Sequence, residues 1–353
     1  MSSFSVDELL ADVAGDDPCG PDMEYDPLFQ QMERAAEGKR GQQAVEGETE
    51  SEPPDWRELK KTSLEILGQS KDLRAAVSLA HGALRLDGWS GFADALKLIE
   101  GLIAQHWSGV HPALDPDDDN DPVMRVNALN ALSLVDNRIP EERRVTIMES
   151  CLDVSLVEAK GVGAFGFRDM LIANGELPAP ENPDGEIPST AIIEAACMQT
   201  ELEDLQAVAE NVAAANTAIA GISSAIAEHI PLTETPDLVP LSKVLTQILV
   251  EVNAALQKRG VSVDGAGDED GEAGAQGEAK QAGISGTVQN REDVIRVLDQ
   301  VCEFYRRSEP SSPVPILLQR ARSLVNMDFM DIVRNLTPNG VGEIENLRGP
   351  EES

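Results

Sequence analysis

The residues of this chain best suited to chemistry lie between Trp107 and Leu129, in the stretch WSGVHPALDPDDDNDPVMRVNAL. Its DPDDDNDP core places five aspartates in eight positions, with His106 and His111 just upstream. Dense carboxylates bind calcium, and carboxylates beside histidines bind transition metals. Ligand spacing argues against both. An EF-hand loop needs a glycine at its sixth position and a bidentate glutamate at its twelfth. Counted from Asp115, those positions hold Asn120 and Val126; counted from Asp117, they hold Pro122 and Ala128. His106 and His111 are five apart, off the three- or four-residue spacing that one helical face requires, and Pro112 breaks the helix between them and the acid. His106 is expected to complement the negative end of a helix. No metal ligand and no cofactor is assigned.

The acid has a second reading. DPVMRVNALNALSLV is expected to be a helix with Asp121 at its cap and Pro122 at its first position. Asp117, Asp118 and Asp119 then sit at its positive pole, each contributing about 0.3–1 kcal/mol when exposed. The same three are candidates for contact with a partner. No phosphate-binding loop, nucleophile elbow or dinucleotide fingerprint occurs, so no catalytic residue is assigned. KGVGAFGFRD, Lys160 to Asp169, reads as a turn that packs Phe165 and Phe167.

The elements that must position these residues are helical. The chain has 353 residues, 41% hydrophobic but only 3% aromatic, so Leu, Ile, Val and Ala must fill its cores. That composition favours helix on helix, an all-α multi-domain protein. SKDLRAAVSLAHGALRLDG predicts a helix capped at Ser70 and stopped at Gly88, and SGFADALKLIEGLIAQHW predicts its antiparallel partner. Further on, Leu205, Val208, Val212, Ala215, Ile219, Ile222 and Ile226 form a heptad seam behind a capping box at Thr200 and Glu203. Leu241, Leu245, Ile248, Val252 and Leu256 resume the rhythm, giving a helical hairpin preceded by a short helix from Thr190 to Cys197. The seam suits either a bundle within the chain or packing between chains.

Two polar stretches divide the chain. The expected organisation is an N-terminal helical domain at 1–173, a Pro/Gly linker at 174–188, a middle hairpin at 189–263, a flexible acidic glycine-rich linker at 264–283 and a C-terminal domain at 284–353. A polar run inside the first region, EGKRGQQAVEGETESEPPD, reads as a long loop. The C-terminal domain carries helix signals at Asn290, at Ser312 with Pro313, and at Asn326 or Asp328. Its core is marginal alone, so self-association is attractive, although a separate three-helix fold is also open. The candidate oligomerisation residues are Phe304, Tyr305, Pro313, Leu317, Leu324, Phe329 and Ile332.

Charge and cysteine usage narrow the class. The formal net charge is −35, from 63 acidic and 28 basic residues, which repels nucleic acid and anionic membrane surfaces. The four cysteines are far apart, matching neither a disulfide framework nor a zinc site and fitting a reducing cytosol. The N-terminus lacks the pattern of a secretory signal, and no apolar run was expected to reach the ~20 residues of a membrane span.

The order of motifs resembles the ImpA/TssA family of type VI secretion system proteins. The resemblance rests on DPCGPDMEYDPLF, on DWR and SKDLR, on HPALDPDDDNDP with R-x-NAL, and on YRRSEPSSPVPILLQRARSLVNMDFMDIVRNL near the end. It covers roughly the first 135 and last 65 residues. It implies a non-enzymatic, ring-forming assembly factor, with a homo-oligomeric C-terminal region of sixfold-related symmetry and N-terminal regions radiating outward. Implied partners are the baseplate, tube, tip, sheath and membrane-complex proteins. The implied location is the cytoplasm of a Gram-negative bacterium, with recruitment to the apparatus at the inner membrane and no direct membrane insertion. A general helical adaptor without a ring is the alternative, and a calcium-responsive protein a further one.

Overall fold

The structure is a computed structural model. It describes residues 4–13, 15–38, 43, 44, 47, 48, 53–115, 117, 119–134, 145–179 and 187–261, and, further on, 295, 298, 301, 302 and 314–324. The chain divides into two compact units, Met1–Ala266 and Gly267–Ser353.

The first unit is mainly α-helical. Its order is α1 (Val6–Leu10), α2 (Pro27–Glu37), β1 (Gln43–Ala44), β2 (Gly47–Glu48), α3 (Trp56–Leu67), α4 (Leu73–His106), α5 (Val123–Asn130), α6 (Ile147–Asp153), β3 (Ser155–Ala159), β4 (Gly163–Gly166), α7 (Phe167–Ala173), α8 (Thr190–Gln199), α9 (Leu202–Ala227) and α10 (Val239–Lys258). The polar run thought to be a loop contains the small β1–β2 ladder, and its remaining residues 39–42, 45, 46 and 49–52 lie outside the described set.

α4 is broken at Gly88, whose φ of 66° and ψ of −151° leave the helix. This is the stop read from the sequence; glycine takes that left-handed φ without a Cβ penalty. The start differs. Asp72, not Ser70, caps α4, its carboxylate accepting from the Arg74 and Ala75 amides. Ser70 is buried and its hydroxyl has no partner in the structure. The carboxylate is the stronger acceptor and sits at the positive pole of the helix.

The hairpin seam holds the expected residues at every position but one. Leu205, Val212, Ala215, Ile219, Ile222 and Ile226 are buried on α9, and Leu241, Leu245, Ile248, Val252 and Leu256 on α10. At the first step Ala209 is buried in place of Val208, which is half-buried. The expected capping box is absent. Thr200 instead ends α8, its hydroxyl donating to the carbonyls of Ala196 and Glu158, while Glu201 precedes α9 without a side-chain cap.

The hairpin does not stand apart from residues 1–173. α9 lies along α4, and one hydrophobic core runs from Met23 to Leu256. Along this contact Gly221 of α9, which has no Cβ, leaves room for the Glu100 carboxylate of α4. One apolar stripe therefore serves two partners, α10 and α4. Among the described residues one helix, α10, is long and apolar enough for a membrane span, with mean hydropathy 1.3, contrary to the sequence expectation. Its five buried leucine, isoleucine and valine side chains face the shared core.

Residues 155–166 correct another expectation. They form an antiparallel ladder, β3 with β4, rather than a turn alone. Phe167, the first residue of α7, is buried and Phe165 is half-buried. In β3 Leu156 and Val157 are adjacent and both buried, so the strand shows no two-residue period to read.

In the second unit the helix Val314–Leu324 is described, with Leu317 66% exposed and Leu324 half-buried. Cys302 is buried and its thiol points to the Pro315 carbonyl at 3.8 Å. Phe304, Tyr305, Pro313, Phe329 and Ile332, the helix starts at Asn290, Ser312, Asn326 and Asp328, and the linker at 264–283 lie outside the described residues.

Candidate functional site

The motifs that are distant in sequence meet at one end of α4. The Lys71 amide donates to the Cys19 carbonyl at 2.7 Å, the His111 amide to the Lys71 carbonyl at 2.8 Å, and the Leu73 amide to the His111 carbonyl at 2.9 Å. PCG, SKDLR and the segment before the acidic loop are thus tied side by side, with His111 in parallel bridge to Asp72. Gly20 is required twice here. Its φ is 72°, and a Cβ would sit 2.2 Å from the Gln69 carbonyl oxygen.

Arg125 organises the next layer. It is 1% exposed on α5. Its Nε donates to the Pro112 carbonyl at 2.7 Å, Nη2 to Val110 at 2.6 Å, and Nη1 to Trp107. These carbonyls follow the C-terminal end of α4, where helix carbonyls lack intrahelical partners and carry partial negative charge. The guanidinium closes that end and fixes the following loop in one step. It also lies 4.8 Å over the Trp107 ring. Burial pushes its pKa down to about 10, which leaves it charged at neutral pH. In the sequence Arg125 stands out only as part of the R-x-NAL motif. The signal was available: Arg125, Leu129 and Leu132 recur at four and three, so the arginine occupies a core position.

Arg74 holds the other flank. It pairs with Asp72 at 2.7 Å, Glu24 at 2.8 Å and Asp22 at 3.4 Å, and lies 4.6 Å over the Phe29 ring. Burial opposes its charge, but the hydrogen bond and charge of Asp72, with Glu24 and Asp22, outweigh that and hold its pKa above the ordinary arginine value. Lys71 is 2% exposed and donates to the Leu9 carbonyl at 2.6 Å; burial draws its pKa down.

The two histidines are tied into this frame. His106 Nε2 meets the Leu10 carbonyl at 2.9 Å, and His111 Nε2 the Gly20 carbonyl at 3.0 Å. Each pins the N-terminal segment, and His106 does so from the last turn of α4, the helix end expected for it. Among the described residues no group of three His, Cys, Asp or Glu is placed to hold a metal ion.

The acidic loop projects from this frame. Asp119 and Asn120 reverse the chain at φ 51° and 61°, and the Asn120 amide returns to the Asp115 carbonyl at 2.8 Å. Asp115 accepts from the Asp117 amide at 2.9 Å and Asp121 from the Val123 amide at 2.8 Å. The helix begins one residue later than expected, at Val123, with Pro122 at the cap position. Asp117 and Asp119 are exposed. Asp118 lies outside the described residues.

The end of α5 and the residues after it also meet the hairpin. The Asp237 amide donates to the Asn130 side chain and the Leu241 amide to the Ser133 hydroxyl, both at 3.2 Å. Trp107 stacks on His229 at 4.7 Å with an interplanar angle of 4°. DWR has a parallel use at α3: Asp55 caps the helix at Glu58, and Trp56 lies 4.6 Å from the His81 ring and 5.4 Å from the Arg85 guanidinium. His81 bonds the Ser150 hydroxyl at 2.9 Å; burial, with the Arg85 charge, pushes its pKa down to about 4.

This frame is a helical scaffold presenting an acidic loop. Residues 10–133 match the family described as ImpA, N-terminal, type VI secretion system. The type VI secretion system component TssA1 of Pseudomonas aeruginosa is 38% identical over 363 aligned positions, covering 99% of each chain. A solved N-terminal domain that includes the conserved ImpA_N region of the TssA component from Burkholderia cenocepacia shares the fold, with TM-score 0.57 and 21% identity over 74% of this chain and 97% of that one. The chain belongs to the ImpA/TssA family of type VI secretion system components.

Proposed function

We propose that this component is a non-enzymatic assembly factor. It self-associates through residues 284–353 into a ring of sixfold-related symmetry and holds its first unit outward to baseplate, tube, tip, sheath and membrane-complex proteins. It acts in the cytoplasm at the secretion apparatus. The observation that carries this reading is the end-to-end match to a type VI component, which extends beyond the N-terminal region shared by the family model. The division into Met1–Ala266 and Gly267–Ser353 supports separate presenting and associating parts. Exposed Leu317 in the second unit supplies apolar surface for association.

Mass measurement and particle images of the full-length protein test the reading. The expected result is a closed ring with arms, reduced to monomers when 284–353 is deleted. A monomeric full-length protein at micromolar concentration would leave only a helical adaptor.

A further inference from the structure

The acidic loop and the hairpin turn are the two walls of one groove of about 520 Å³, lined by Asp119, Asp121, Pro122, Val123, Val126 and Glu234. Neither wall would be recognised from its own stretch of sequence. Glu234 lies more than a hundred residues beyond the loop and reaches it only because α9 folds back along α4. The walls are held in place by the Asp237–Asn130 and Leu241–Ser133 hydrogen bonds and by the Trp107–His229 stack. The groove is therefore formed before anything enters it, which lowers the ordering cost of binding.

Its floor and rim differ in kind. Pro122, Val123 and Val126 give an apolar floor, and Asp119, Asp121 and Glu234 give the rim three carboxylates; its described lining has no basic side chain. Val123 is 47% exposed, its neighbour Met124 51%, and Leu232, two positions before Glu234, 78%. Exposed apolar side chains beside a preformed concavity, rimmed by polar groups, mark interaction surfaces. The rim selects the charge of what can sit there: a neutral or acidic segment would leave the carboxylates without compensation.

We infer that this groove docks a cationic segment of another protein, one that inserts an apolar side chain between lysines or arginines. The inference rests on the assembly-factor reading for its biological setting and on the groove alone for its chemistry. The net charge of −35 steers such a segment toward the molecule, and the apolar floor decides where it stops.

A synthetic helical peptide with one leucine face and flanking lysines is the probe, titrated into the full-length protein by fluorescence anisotropy at low and physiological salt. Val123→Ser and Glu234→Arg alter exposed side chains, so their unfolding curves should match the parent. Each is expected to weaken binding at least about tenfold, the scale of losing a central contact. Glu210→Arg, exposed on α9 away from the groove, is the control and should change binding less than about twofold. Equal losses in all three variants would show diffuse charge attraction and overturn the proposal, as would unchanged binding in the first two. A photocrosslinker at position 234 that captures residues 314–324 of another copy would replace the proposed occupant with this chain itself. Ring formation by the parent protein separates the readings. A parent that forms rings but binds no peptide would sink the groove alone, and one that binds the peptide without forming rings would sink the assembly reading alone.

Discussion

The frame around Arg125 and the α9–α10 hairpin are built on opposite principles. The frame buries Arg125, Lys71, His106 and His111 and ties them to carbonyls of segments farther off along the sequence. The hairpin buries eleven aliphatic seam positions at heptad-like spacing with almost no directional bonds among them. Directional bonds demand particular atoms at particular places, whereas apolar burial demands only volume and period. The difference explains why the first region reads as a string of fixed motifs and the second as generic helix.

The sharpest way to break this contrast is Arg125→Lys. A single ammonium cannot serve three carbonyls in the guanidinium's plane, so the conservative change should cost about 3 kcal/mol or more. Urea denaturation of the full chain measures it. A loss under about 1 kcal/mol would mean that Arg125 is no organiser.

A smaller effect is expected from pH at His81. Its folded pKa, about 4, lies below the ordinary histidine value of about 6.5. The unfolded chain then binds the proton first, so stability is complete above about pH 6.5 and is lost as pH falls toward 4. The contribution is on the order of 2 kcal/mol, with the histidine partly shielded from solvent. Thermal melts between pH 7 and pH 5 should slope less in His81→Gln than in the parent. Identical slopes would assign the pH response to other groups.

The smallest effect belongs to the hairpin. Ile222→Leu conserves volume in the seam and should cost less than about 1.5 kcal/mol. A larger loss, comparable with Arg125→Lys, would erase the distinction between the two regions and point to tight packing of α9 against α4.

Much of the architecture was legible along the chain. The stop at Gly88, the seam positions of α9 and α10, the short helix α8 and the family motifs follow from glycine's freedom, apolar period and motif order. Caps were less legible. Ser70 and Asp72 are both good caps by type, and only the place where the chain turns into the helix, with the Asp72 carboxylate accepting from the Arg74 and Ala75 amides, decides between them. Thr200 and Glu203 have the spacing of a capping box, but the Thr200 hydroxyl finds closer acceptors in Ala196 and Glu158. Short strands were missed because β3 and β4 hold too few alternating residues to show a period.

By itself the sequence determined a helical, acidic, motif-marked chain of the type VI family and ruled the aspartate spacing of DPDDDNDP out as an EF-hand. Only the tertiary structure decided what that loop adjoins. Hydrogen bonds from Lys71, His111 and Arg125 connect residues tens of positions apart, and periodicity carries no information about such pairings. Packing of α9 along α4 then brings Glu234 to the same groove as Asp119 and Asp121, a neighbourhood fixed by packing and invisible in linear order.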